Sequence, residues 1–80
     1  MPPNDHPDDW VLAHRRDIGD NLREARRAAG LTQEQVALAA GIERPTYVRI
    51  ERGQASARVD TLIRIAAVLG VDLSVLVRRR

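Results

Sequence analysis

Leu31-Thr-Gln-Glu-Gln-Val-Ala-Leu-Ala-Ala-Gly-Ile-Glu-Arg-Pro-Thr-Tyr-Val-Arg-Ile-Glu-Arg-Gly53 is the stretch on which the reading of this chain turns. It reads as two short helices joined at Gly41. Thr32 is a good N-cap, and Gln35 stands three residues on, where a capping-box partner belongs. Val36, Ala37 and Ala40 fall on one helical face. Gly41 supplies the positive-φ corner that stops a helix, and Ile42 after it can fold back onto the first helix. Pro45 belongs to the opening turn of the second helix, where its missing N–H costs nothing. The residue before a proline avoids helical φ/ψ, which makes Arg44 the expected N-cap. Tyr47 and Ile50 form the inner face of this helix, and Gly53 closes it. Glu43, Arg44, Thr46, Val48, Arg49 and Arg52 are left facing outward.

An arginine-bearing outer helix braced by a short helix before it has the layout of a helix-turn-helix. The ordered series Thr32-Gln33-Glu34, Ala37, Gly41 and Ile50-Glu51-Arg52-Gly53, continued by Asp60 to Val71, resembles the phage-repressor/Cro-like (XRE-type) helix-turn-helix family. The resemblance runs from about Ile18 to Leu76. It implies an all-α, five-helix, lambda-repressor-like DNA-binding domain. It also implies that a helix over about residues 44–52 enters the major groove of double-stranded DNA.

The rest of the chain is compatible with that. Eighty residues make one small domain near the lower limit for folding without staples. The absence of Cys excludes disulfides and thiolate metal sites and suits a reducing cytoplasm, the expected location. Residues 65–69 are the longest apolar run, too short to span a bilayer. The first seven residues, rich in Pro and Asp, are expected to form a disordered tail, with the domain over 8–80. A helix starts near Asp8 and places Val11, Ile18, Leu22, Ala25 and Ala29 on one stripe, with Gly19 as a candidate interruption. A further helix from about Arg58 to Leu69 has Val59, Leu62, Ile63, Ala66 and Leu69 as its expected inner face, with Ser56 as its candidate cap. Asp72 opens a short last helix, and three terminal arginines suit its negative end. Glycines at 30, 41, 53 and 70 punctuate the series.

Charge is unevenly placed. Residues 1–20 carry five Asp against two Arg, a balance of −3, whereas residues 21–80 carry eleven Arg against six acids, a balance of +5. Every basic residue is Arg, which a G·C-rich codon bias accounts for without function. Even so, Arg forks match phosphates and guanine edges better than Lys.

Arg44 and Arg49 are the base-reading candidates, because Arg can fork onto guanine O6 and N7. The competing reading leaves them solvated or on phosphates. Glu43 either accepts from a cytosine amino group or serves as a dipole-matching acid. Val48 either touches a thymine methyl or is an ordinary surface valine. Thr32, Gln33, Thr46, Arg52 and Arg58 are phosphate candidates, the first two at a helix N-terminus that favours anions. By the family resemblance Arg26 pairs internally with Glu51 as a structural salt bridge, leaving Arg23 and Arg27 to phosphate or solvent. His6 and His14 are isolated and suggest no metal. No serine has a catalytic partner at an evident spacing, so neither an enzyme nor a cofactor is expected.

The function expected is a sequence-specific transcriptional regulator, with an antitoxin-type protein-binding module that neutralises a partner and autoregulates its operon as the alternative. The close of the chain soon after its last helix favours the stand-alone regulator. A homodimer is expected. The apolar excess between Val71 and Val77 makes Leu73, Leu76 and Val77 the candidate contacts, with Trp10 as a second patch.

Overall fold

The computed structural model describes residues 8–80; the expected tail and His6 lie outside the described residues. Five helices follow in order: α1 (Asp9–Ala28), α2 (Gln33–Ala40), α3 (Arg44–Glu51), α4 (Val59–Leu69) and α5 (Leu73–Val77). No strand occurs among the described residues. None of these helices is long and apolar enough to cross a membrane.

The core is aliphatic around a single aromatic ring. Tyr47, Leu22, Ile65, Leu76 and Val36 are fully buried, so each helix gives at least one side chain to it. The packing places α3 between α1 and α2, with α4 closing against α2 and α5 against α1.

α1 is one continuous helix, not two. Gly19 is buried in its middle for a packing reason. A Cβ there would stand 2.8 Å from the carbonyl carbon of Glu51 and 3.0 Å from the carbonyl oxygen of Ile50. Only a residue without a side chain lets α1 cross the end of α3 this closely. Gly53 meets α1 one turn earlier. Its φ is +72°, and a Cβ on it would lie 3.0 Å from the Cα of Arg16. Ala29, placed on the apolar stripe by its spacing, is exposed beyond the end of α1.

Two assignments in α4 are corrected. Val59 and Ile63 are 61% and 49% exposed, while Ile65 is fully buried beside Leu62, Ala66 and Leu69. Residues 65–69 are apolar all round, so periodicity could not choose between two overlapping stripes. Contact with both α2 and α5 selects the one through Ile65. Ser56 does not cap α4 either. Arg58 is the N-cap residue and makes no side-chain cap bond.

The C-terminus is held by α1. The Asn21 amide donates to the carbonyls of Leu76 and Arg78 at 3.1 and 2.8 Å, and the His14 ring donates to that of Val77 at 2.7 Å. These side chains satisfy carbonyls that a short helix leaves open. Arg79 pairs with Asp17 and Arg80 with Glu24, so two of the three terminal arginines serve this clasp.

The crossing of α1 over α3 yields the first test. Gly19→Ala should lower the denaturation midpoint, with a cost of roughly 1–3 kcal/mol for overpacking. An unchanged midpoint in chemical denaturation would mean that the helices part freely.

Candidate nucleic-acid interface

The α2–α3 unit is set by local chemistry. The Thr32 hydroxyl accepts from the Gln35 N–H at 3.1 Å, and the Gln35 side chain accepts from the Thr32 N–H at 2.9 Å, completing the capping box. Gly41 is left-handed at φ +72°, and the Ile42 N–H behind it bonds the Ala37 carbonyl at 2.9 Å. The turn therefore bends on glycine and is sealed by Ile42, which packs against the core. The N-cap of α3 is Glu43, extended at φ −73°, and not Arg44, which is the first helical residue. Pre-proline crowding is accommodated in this first turn, where the Pro45 ring has no preceding helical turn to strike.

The faces of α3 divide sharply. Tyr47, Ile50 and Glu51 are buried; Glu43, Arg44 and Arg49 are exposed, and Thr46 and Val48 are half-buried. Arg44, Pro45, Val48 and Arg49 line one shallow depression on the outer face. An aliphatic patch flanked by two guanidiniums can meet a thymine methyl and guanine edges together. Thr32, before the start of α2, and Arg52, after the end of α3, are exposed, and Gln33 is half-buried. Arg58 is exposed on the far side of the connector 54–57 and borders neither this depression nor the basin described next.

That basin, about 740 Å³ and open, lies where the N-terminus of α2, the end of α3 and α1 converge. Gln33, Arg52 and Gln54 line one wall, and α1 supplies Arg16, Arg23 and Arg27 to the other. Sequence reading did not find Arg16 or Gln54 here, because nothing in their spacing announces that α1 lies against α3.

At the floor of the basin Arg26 and Glu51 form a forked pair. Arg26 Nε donates to one carboxylate oxygen of Glu51 at 3.0 Å and a terminal nitrogen donates to the other at 2.9 Å. The second terminal nitrogen of Arg26 donates to the Leu31 carbonyl at 2.9 Å. The side chains are only 12% and 3% exposed. Gln33 adds a 3.3 Å hydrogen bond to Glu51, so one of its amide protons is already engaged. The pair thus links α1, the α1–α2 turn, α2 and α3. Burial pushes the Glu51 pKa up, but the hydrogen bonds and charge of Arg26, with the Gln33 hydrogen bond, outweigh it and leave the group below the ordinary carboxylate range. Burial raises the Tyr47 phenol, which sits beside this pair and has no well-formed hydrogen bond of its own.

The expected dimer contacts separate. Leu76 is fully buried in its own core and is withdrawn as a surface contact. The short α5 turns it inward against α1 and α4 because the core needs a large aliphatic side chain there. Leu73 and Val77 are half-buried against the same core. Trp10 is 55% exposed over a cleft of about 210 Å³ that also takes Val11, Ile18, Ile50 and Leu62.

Comparison with known proteins places this geometry. A helix-turn-helix family profile, HTH_3, matches residues 22–76. The chain belongs to the HTH_3 family. An HTH-type transcriptional regulator of Haemophilus influenzae is 35% identical over 54 residues, which cover 68% of this chain and 55% of that protein. The regulator y4dJ of Sinorhizobium fredii is 38% identical over 58 residues, covering 72% of this chain and 75% of the relative. The HTH_3 chain therefore spans little more than half of the Haemophilus protein. Among solved structures, the restriction-modification controller protein C.AhdI of Aeromonas hydrophila superposes with a TM-score of 0.78. It is 33% identical, covering 80% of this chain and 97% of that one. The family match starts at Leu22, so the half of α1 that carries Arg16 and Gly19 lies outside it.

The buried pair makes HTH_3 domain stability depend on acid. With the folded Glu51 pKa below its ordinary value, the stability from its charged form is complete above about pH 5. It is lost as pH falls below the unfolded value of about 4.3 toward the folded one. Melting curves from pH 7 to pH 3 should fall steeply in the wild type and less steeply in Glu51→Gln, which starts lower. At pH 7, Glu51→Ala should cost roughly 3–5 kcal/mol by stranding a buried guanidinium. Parallel pH profiles for wild type and Glu51→Gln would contradict the assignment.

Proposed function

We propose that this chain is a sequence-specific double-stranded-DNA-binding transcriptional regulator that inserts α3 into the major groove. The observation that carries the reading is the outer face of α3. Arg44, Val48 and Arg49 share one surface while the opposite face holds the core, so the helix is rigid where it would read bases. The names of the relatives support the same role. In this reading Arg44 and Arg49 fork onto guanines, Val48 meets a methyl group, and Glu43 at the N-cap accepts from a cytosine amino group. Thr32, Gln33, Thr46 and Arg52 lie along the backbone, with Arg58 at the periphery. The antitoxin alternative draws on no feature of its own.

We further propose that the regulator acts as a homodimer, because two copies on half-sites about 34 Å apart bind far better than one. Val59 and Ile63 stand one turn apart and exposed on α4, and join Trp10, Leu73 and Val77 as candidates for the contact. Sedimentation equilibrium at micromolar protein should give a species near twice 8.9 kDa. Ile63→Glu should shift it toward monomer; a strictly monomeric chain, free and on palindromic DNA, would rule the dimer out.

Specificity is tested by selecting duplexes from a random pool and measuring variants on the winners. Arg49→Ala should relax one or two base pairs and weaken specific binding by roughly 1–3 kcal/mol. Arg52→Ala should weaken all duplexes alike and flatten the salt dependence. An unchanged selected sequence with Arg49→Ala would mean that another face reads the DNA.

A further inference from the structure

We infer that the basin beside the recognition helix is a second anion-binding surface, in which Arg16 and Arg27 of α1 hold backbone phosphates of the bound duplex. The inference rests on the DNA-binding reading above and extends it to α1, where Arg27 lies within the family match and Arg16 lies before its start.

Charge is the first observation. Five arginines and two acids line the basin, leaving it at +3. The two acids are already matched, Asp20 by Arg23 and Glu51 by Arg26. Arg16, Arg27 and Arg52 are exposed and have no ion-pair partner among the described residues. Three unmatched guanidiniums converging on one concavity repel one another, and an anion between them removes that repulsion. The polar ends of Gln33 and Gln54 on the same wall add neutral hydrogen-bond donors.

Position is the second. The basin begins at Gln33 and Arg52, the flank of the α2–α3 pair that would face the DNA backbone. Arg16 reaches that flank because Gly53, where a Cβ would stand only 3.0 Å from the Arg16 Cα, lets the end of α3 close on α1, and Gly19 lets α1 lie on the last carbonyls of α3. The same glycines that pack the helices therefore bring α1 arginines next to Arg52. A duplex is the occupant of choice because its phosphates repeat along a line. An open basin that includes Gln33 at the start of α2 can then accept phosphates while α3 occupies the groove. Such contacts add affinity and fix orientation without choosing sequence.

The test uses the full chain with Arg16→Gln, Arg27→Gln and the double variant, with Arg64→Gln on α4 as a control outside the basin. Binding to one selected duplex is measured from 50 to 200 mM salt, together with melting temperature. Each basin variant should reduce the slope of log affinity against log salt by about 0.9. Over that range the wild type should lose roughly twelve-fold more affinity than the double variant, the product of two such charges. The selected sequence should not move, the melting temperature should not fall, and Arg64→Gln should match the wild type. A wild-type slope in the double variant overturns the basin assignment while leaving the α3 reading intact. A lowered melting temperature with an unchanged slope would make these arginines structural only. A wild type that binds no duplex at all would overturn the DNA-binding reading and the basin with it.

Discussion

The fork between Arg26 and Glu51 is the interaction on which the arrangement of the domain depends. It joins the last turn of α1 to the end of the helix that carries the candidate reading face. Buried ion pairs contribute little net stability, since desolvation offsets most of the attraction. Their leverage lies in what happens when geometry is wrong. Any packing of α3 that separates the two groups leaves a charge without a partner in a site where the side chains are 12% and 3% exposed. The pair thus selects one orientation of α3. The Arg26 bond to the Leu31 carbonyl and the Gln33 bond to Glu51 extend that constraint to the start of α2. Gly19 and Gly53 complete it by removing the side chains that would hold α1 and α3 apart.

What could be read from sequence was what local chemistry determines. Thr32 with Gln35, Gly41 and Pro45 each act within a few residues, and the helices begin and end where those residues require. The division of α3 into an inner face at Tyr47 and Ile50 and an outer face at Arg44, Val48 and Arg49 also follows from spacing alone. What escaped depends on partners distant in sequence. Gly19 reads as a helix breaker until α3 is seen lying on it. Ile65 and Ile63 are equivalent to a periodicity argument, and only the positions of α2 and α5 distinguish them. Leu76 looks surplus in an apolar tail until α1 and α4 are seen to need it. The grip of His14 and Asn21 on the last carbonyls has no short-range signature at all.

The surface divides into two chemistries. The outer face of α3 combines two guanidiniums with an aliphatic patch, a set suited to discriminating base edges. The basin beside it concentrates unmatched arginines and amides, a set suited to phosphates of any sequence. One crossing, α1 over the end of α3, places the two side by side. The same backbone contact that stabilises the domain therefore determines how these two candidate surfaces are spaced.

The central claim is that duplex DNA meets the chain across α3 and its flanking basin. Backbone amide chemical shifts of the isotope-labelled protein, followed as a selected duplex is added, test it most directly. The account predicts that the largest changes fall at 32–33, 43–49 and 52–54, with smaller ones on the basin side of α1 and little change in α5. Changes concentrated on α4 and α5, with residues 43–49 unmoved, would contradict it.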